Sequence, residues 1–305
     1  MLNFVIIILA ITISLAMILF CRQYVKRTFS AIDAILNRFE DKNLSVIQAT
    51  TRDSRISKLE NQANRIINQY LLEMEDTKTK MDSIQSFISD ISHQFKTPLA
   101  GLLMFSEMLL EEDLTVEEQK EFLGRIKAST QRLQWMTESL INISRLEAGT
   151  IELTPQQNQI LPTLTEAMHG VSVIAIEKKI RLHLQPFDDQ QLHFDSKWTL
   201  EALINILENA VKYSPIESEI KITVEPLSMY TKIDITDNGI GIVKSECNLI
   251  FKRFYRGTNA TKYEGIGLGL YLATLIMEKQ GGYIMVKSIP NQYTTFSLFL
   301  QNCQK

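Results

Sequence analysis

The chain has 305 residues, 32 Lys and Arg against 35 Asp and Glu for a net charge of −3, and 45% hydrophobic residues. That length is more than one small module requires, and that apolar content excludes a mainly disordered chain. The near-neutral balance argues against direct nucleic-acid binding, and three scattered cysteines (Cys21, Cys247, Cys303) exclude a disulfide framework or a structural zinc site.

Positions 2–21, LNFVIIILAITISLAMILFC, carry no charge. At about 1.5 Å per helical residue, twenty residues span roughly the 30 Å of a bilayer core, so a single transmembrane helix is expected here. No basic segment precedes it and no small-residue cleavage site precedes Arg22, which disfavours a removed leader. Arg22, Lys26 and Arg27 follow it, and the positive-inside rule then places the remaining chain in the cytoplasm, with almost nothing outside.

The first proline is Pro98 and the first glycine Gly101, so nearly a hundred residues pass without a strong helix breaker. Between Val25 and Ile91 apolar residues follow helical spacing, interrupted by a connector at 40–55, EDKNLSVIQATTRDSR. The stretch 22–80 therefore reads as a helical stem. Helix, connector and helix look like a HAMP signal-relay module, without the proline and glycine usual there. At 75–80, EDTKTK, the apolar seam turns polar and its phase slips.

Residues 82–111 and 116–148 predict two helices around the polar turn EEDLT. Thr115 and Glu118 form a capping-box pattern, and Gly149 suits the C-terminal cap. Phe122, Ile126, Ser129, Leu133, Met136, Leu140 and Ile143 alternate by four and three as a bundle seam. Such a hairpin has little apolar surface of its own, so two chains are expected to pair as a four-helix bundle. From Thr150 the texture changes: strands are predicted at 150–154, 180–184, 219–225, 230–236, 283–288 and 293–300, and helices at 162–178, 197–213 and 268–280. Adjacent strands joined by short turns indicate an α+β sandwich.

His93 stands in ISDISHQFKTPLAGL on the first hairpin helix, where a neutral imidazole is a nucleophile and Pro98 can bend the helix nearby. In LINILENAVKYS, Asn205, Glu208, Asn209 and Lys212 recur at three and four residues and share a helical face. Asparagine oxygens can complete the shell of a magnesium ion held mostly by water and phosphate, and Lys212 can neutralise phosphate charge. In ITDNGIGI, Asp237 can accept from an adenine amino group, while Gly239 and Gly241 permit close backbone approach. Gly265, Gly267 and Gly269 precede a helix in YEGIGLGL, where amides favour polyphosphate; the run matches neither a Rossmann fingerprint nor a P-loop.

Taken in order, SHQFKTPL, NILENAVKYS, DNGIGI, FKRFYRG and GIGLGL resemble the H, N, G1, F and G2 boxes of the membrane sensor histidine kinases of bacterial two-component systems. The resemblance covers roughly 80–305. Beyond the transmembrane helix (2–21) and the stem (22–80) read above, it implies a dimerisation and phosphoacceptor hairpin (81–149) and a Bergerat-type ATP-binding domain (150–305), a multidomain protein in all. It also implies His93 as phosphoacceptor, Asn205 and Asn209 as holders of Mg2+, and Lys212 and Tyr213 at phosphate and nucleotide. Asp237 would read adenine in a pocket shaped by Gly239 and Gly241, and Gly265, Gly267 and Gly269 would hinge an ATP lid. Arg253 and Arg256 of the F box are candidates for phosphate contact, or else for surface salt bridges.

One position departs from the family, which most often has an acidic residue directly after the histidine; here it is Gln94. An amide hydrogen-bonds a proton but does not accept it as a base. Thr97 matches the position that in relatives helps orient water for dephosphorylation of the partner, so both kinase and phosphatase activities are expected. The expected partners are a second copy of the chain and a cognate response regulator; with almost nothing outside, the signal is expected to enter through the membrane helix, an accompanying membrane partner protein or the stem. A catalytically weak nucleotide-binding scaffold and a chaperone-like ATPase are the rival readings.

Overall fold

The computed structural model describes residues 2–40, 54–111, 114–260, 263 and 265–303. It divides into two units, Met1–Ile88 and Ser89–Lys305. In the first unit, α1 (Leu2–Glu40) is one continuous helix. Its stretch Ile6–Ser30 has a mean hydropathy of 2.2 and no buried residue, so α1 is long and apolar enough to cross a membrane. Most of the expected connector at 40–55 lies outside the described residues. The helix α2 (Ser54–Met108) then runs without a break through the polar stretch 75–80, where Lys80 pairs with Asp76 at 2.6 Å. It enters the second unit at Ser89.

In that second unit α2 packs against α3 (Val116–Glu147) as the expected antiparallel hairpin. Pro98 sits inside α2, and the helix absorbs it: the ring is buried and the lost backbone donor does not end the helix. Thr115 caps α3 as its spacing predicts, accepting from the Glu118 N–H while Glu118 accepts from the Thr115 N–H at 2.9 Å. At the far end Gly149 adopts φ +67 and the Thr150 N–H donates to the Arg145 carbonyl, closing a Schellman-type cap. Met136, Ile143 and Leu146 bury the seam, and the Phe105 and Phe122 rings meet at 5.8 Å across the hairpin.

The remainder is a mixed sheet covered on one face by helices. Its elements are β1 (Gln156–Gln159), α4 (Ile160–Gly170), α5 (Ser172–Glu177), β2 (Arg181–Leu184), β3 (Gln191–Phe194) and α6 (Ser196–Tyr213). They continue as β4 (Glu219–Pro226), β5 (Tyr230–Asp237), α7 (Gly269–Lys279), β6 (Tyr283–Ile289) and β7 (Tyr293–Asn302). Strand order is β1-β3-β7-β5-β4-β2 with β6 also on β7; β2 and β4 run parallel and every other pair antiparallel. In β5, Thr231, Ile233, Ile235 and Asp237 point inward and the alternate residues stay half-exposed, the period-2 pattern of a sheet with one covered face. This is the expected α+β sandwich.

Three local expectations need correction. Residues 150–154 form no strand: the Thr154 N–H and hydroxyl donate instead to the Asp195 carboxylate. The single helix expected at 162–178 is two, α4 and α5, divided at Val171 after Gly170, where a Cβ would meet Ile204 at 3.2 Å. Finally, β1 and β3 are additional strands; QQNQ has no apolar residue and is held by its ladder to β3, which itself pairs with the end of β7.

The two helices that carry the site are fixed at their ends. Asp195 caps α6, accepting from the Trp198 N–H at 3.1 Å. Gln280, buried just beyond α7, accepts from the Asp195 N–H and donates to Thr199, both at 3.0 Å. At the other end of α6 the Lys178 ammonium donates to the carbonyls of Val211, Lys212 and Ser214, and so satisfies groups that a helix end leaves without partners.

Candidate functional site

On α6, Ala202, Leu203, Ile206, Leu207 and Ala210 are buried in the core. The 3.6-residue period then turns Asn205, Glu208, Asn209 and Lys212 to the opposite side, onto the wall of a cleft of about 570 Å3. Both asparagines spend their amide nitrogens on their own helix: Asn205 donates to the Glu201 carbonyl at 2.8 Å and Asn209 to the Asn205 carbonyl at 3.0 Å. That leaves the side-chain oxygens as the donors offered to a ligand. The Lys212 ammonium rests over the Tyr213 ring, 4.7 Å from its centroid. Burial raises the Glu208 carboxyl, with Glu201 adding to the effect and Lys212 opposing it.

Another part of the cleft lining is mainly apolar. Ile240, Ile242, Ile250, Thr294 and Phe296 line it, with Asp237 at the end of β5 as its buried acid. Asp237 accepts from the Gly239 N–H at 2.8 Å through one carboxylate oxygen. Burial pushes its carboxyl up to about 7, against that hydrogen bond's lowering effect. Gly239 lies under the wall, where a Cβ would stand 2.6 Å from the Tyr213 carbonyl oxygen; Gly241, at φ +67, leaves no room for a Cβ against Ile289.

The F box and the glycines ahead of α7 form a further segment of the wall. The Phe254 N–H donates to the Gly267 carbonyl at 2.8 Å. Glu246 anchors the start of the segment, accepting from the Thr258 N–H at 3.1 Å and from its hydroxyl, and these bonds hold its carboxyl below the usual range. Gly265, Gly267 and Gly269 all line the cleft, and a Cβ on Gly265 would collide with the Lys212 ammonium.

The two F-box arginines part company. Arg256 lines the cleft and donates to the carbonyls of Ala260 and Tyr263. Arg253 lies away from the lining, paired with Glu147 at the end of α3 and donating to the Tyr271 hydroxyl at 3.0 Å. The surface salt bridge that the sequence left open is therefore what Arg253 makes.

The hairpin supplies the remaining wall. Thr97 and Pro98 of α2 and Arg125, Ser129, Arg132 and Trp135 of α3 all border the cleft. His93 is exposed one turn before Thr97, whose hydroxyl lies 3.5 Å from the His93 carbonyl, and Gln94 is half-buried beside it. Neither His93 nor Gln94 is part of the lining. Sequence reasoning missed Glu246, Thr294, Phe296 and the α3 arginines, and it saw Glu208 only as part of the shared face. Period-2 alternation on β7 could have marked Thr294 and Phe296; nothing local marks the others.

A polyphosphate-sized cleft under a glycine-rich segment, walled on one side by a histidine-bearing hairpin, defines a nucleotide-binding phosphotransfer module. The family description "His Kinase A (phospho-acceptor) domain" matches residues 83–149, and "Histidine kinase-, DNA gyrase B-, and HSP90-like ATPase" matches 194–303, together more than half of the chain. The chain belongs to the two-component sensor histidine kinases.

Among the relatives, Hybrid signal transduction histidine kinase A of Dictyostelium discoideum is 30% identical over 75% of this chain and 11% of its own length. Signal transduction histidine-protein kinase ArlS of Staphylococcus haemolyticus is 28% identical over 82% of this chain and 57% of its own. The chain thus spans from about a tenth to somewhat over half of the length of these relatives. The fold is shared with histidine kinase ThkA, solved in complex with response regulator protein TrrA: TM-score 0.60, 18% identity, 76% of this chain and 66% of that one. It is also shared with Acinetobacter baumannii histidine kinase AdeS: TM-score 0.56, 19% identity, 70% and 98%.

Proposed function

We propose that this protein is a membrane-anchored, homodimeric sensor kinase that transfers the γ-phosphoryl group of ATP to a ring nitrogen of His93 and thence to an aspartate of a separate response regulator. The observation that carries the reading is the shared cleft, walled by α6 and its glycine-rich lid on one side and by Thr97, one turn from the exposed His93, on the other. The apolar part takes the adenine, with Asp237 accepting from its amino group. The polyphosphate lies toward Lys212, Arg256 and the lid glycines.

The donor set at Asn205 and Asn209, neutral oxygens with no metal-holding cluster of acidic side chains among the described residues, suits Mg2+ that keeps water and phosphate as its other ligands. When bound, that ion supplies charge neutralisation on the phosphates. In the transfer the imidazole nitrogen forms a P–N bond as the Pγ–O bond to ADP breaks, and the second ring nitrogen gives up its proton. Gln94 does not take that proton, so water or another base must. Catalysis then rests mainly on positioning and electrostatics.

Exposed apolar residues on the hairpin, Leu99, Leu103 and Leu123 among them, support pairing of two chains into a four-helix bundle. Thr97, on the His93 face, supports a phosphatase step toward the regulator, and the apolar stretch of α1 supports a single membrane crossing with the kinase region in a bacterial cytoplasm. The test is incubation of the full-length protein in lipid nanodiscs with γ-labelled ATP and magnesium. Acid-labile label is expected on the wild type and none on His93→Gln. ATP binding without label would leave the second reading, a nucleotide-binding scaffold, which Gln94 specifically favours.

A further inference from the structure

The face that α3 turns to the cleft follows its own period. Arg125, Ala128, Ser129, Arg132 and Trp135 fall at intervals of three and four, beside the seam residues Ile126, Leu133 and Met136. Within this stripe Arg132 stands apart. Its Nε is closed off from water and has no hydrogen-bond partner among the described residues. Arg125, by contrast, is exposed and reaches Glu121 at 3.7 Å. A shielded guanidinium nitrogen without an acceptor is costly; Arg132 also makes no ion pair among the described residues and borders the cleft, so its charge is available to an anion that enters there.

The hairpin register says which part of a nucleotide would meet it. A Cβ on Gly101 would lie 3.6 Å from the Ser129 hydroxyl, so position 101 of α2 is level with 129 of α3. The helices are antiparallel; Arg132 is therefore level with about residue 98, some 7 Å along the axis from His93 at about 1.5 Å per residue. It therefore borders the cleft within about two helical turns of the phosphoacceptor.

We infer that Arg132 binds the terminal phosphate of ATP from the hairpin side, completing the nucleotide site with a residue outside the ATPase domain. This rests on the kinase reading above. A guanidinium offers a planar pair of donors to phosphate oxygens, and ADP lacks the group it would grip. Helix α3 therefore distinguishes ATP from ADP, and the ATPase domain holds the hairpin more firmly before transfer than after it.

The test measures affinity of the full-length protein in nanodiscs for ADP and for a β,γ-imido analogue of ATP, in wild type, Arg132→Gln and Arg132→Lys. Loss of one charge-assisted contact corresponds to roughly a ten- to hundredfold weakening. Arg132→Gln is expected to weaken the analogue by that factor and ADP by less than twofold, with Arg132→Lys recovering part of the loss. Should the Gln variant fail to fold, the Lys variant carries the test: a smaller loss selective for the analogue is expected. Equal weakening of both nucleotides, or of neither, overturns the inference; unchanged affinities with impaired transfer to the regulator overturn it in favour of a docking role. A wild type that binds neither nucleotide would instead sink the kinase reading itself.

Discussion

Gly269 and Asn205 are fitted to one another: a Cβ on residue 269 would stand 2.5 Å from the Asn205 side-chain oxygen. The oxygen that faces the cleft is thus placed by the absence of a side chain on the neighbouring helix. Gly269→Ala should turn the Asn205 carboxamide away and weaken binding of the magnesium–nucleotide complex at least tenfold, although alanine is the better helix former. Calorimetric titration with and without magnesium checks this, and a loss confined to the magnesium complex locates the effect at Asn205.

Asp237 should make nucleotide binding pH-dependent. Burial raises its carboxyl to about 7, above the ordinary 3.8, so the folded state holds the proton more tightly than the unfolded chain does. Its contribution to stability is complete below 3.8 and is lost as pH rises through about 7. An adenine amino group donates, so it selects the ionised carboxylate; affinity should climb roughly tenfold between about pH 6 and 8 and then level off. Asp237→Asn should flatten both profiles, followed by thermal unfolding and by nucleotide titration across that range.

The F-box arginines should respond in opposite ways. Arg256 borders the cleft, and Arg256→Ala is expected to weaken nucleotide binding about tenfold by removing a cation near the phosphates. Arg253 is held by Glu147 and Tyr271 outside the lining. Glu147→Gln should leave affinity within twofold and quicken hydrogen exchange in 249–256 and α7. Exchange unchanged in the variant would show that the pair contributes nothing to holding α3 against the domain.

Gln94→Glu should raise the initial rate of His93 labelling by about 10²-fold, the lower end of what a general base contributes. Initial rates of phosphoryl incorporation at saturating ATP measure it directly. A rate no faster than wild type would mean that another base already takes the imidazole proton.

Much of this was legible where function and local period coincide. The Asn205, Glu208, Asn209 and Lys212 face follows from the helical repeat, and the Thr115 cap and Gly149 stop are contained within a few residues of chain. Arg253 and Arg256 are three residues apart, and their fates are separated by partners that no local pattern announces: Glu147, over a hundred residues earlier, and Tyr271 for the one, and the carbonyls of Ala260 and Tyr263 for the other. The all-polar strand β1 escaped because its ladder partner lies distant in sequence, and β3, although Leu192 and Phe194 alternate into the core, because four residues are too short a run to stand out. Arg132 escaped for a related reason: its stripe is an ordinary helical surface until another domain is laid beside it.

Gln280 ties α6 and α7 together at one end and leaves the other end to close fit alone. Its bonds to Asp195 and Thr199 fasten the far ends of both helices, while at the near end Gly269 already lies in closest approach to Asn205. The helix α7 is thus held at both ends, so a change of nucleotide is expected to register in the residues that precede it before it registers in the helix itself.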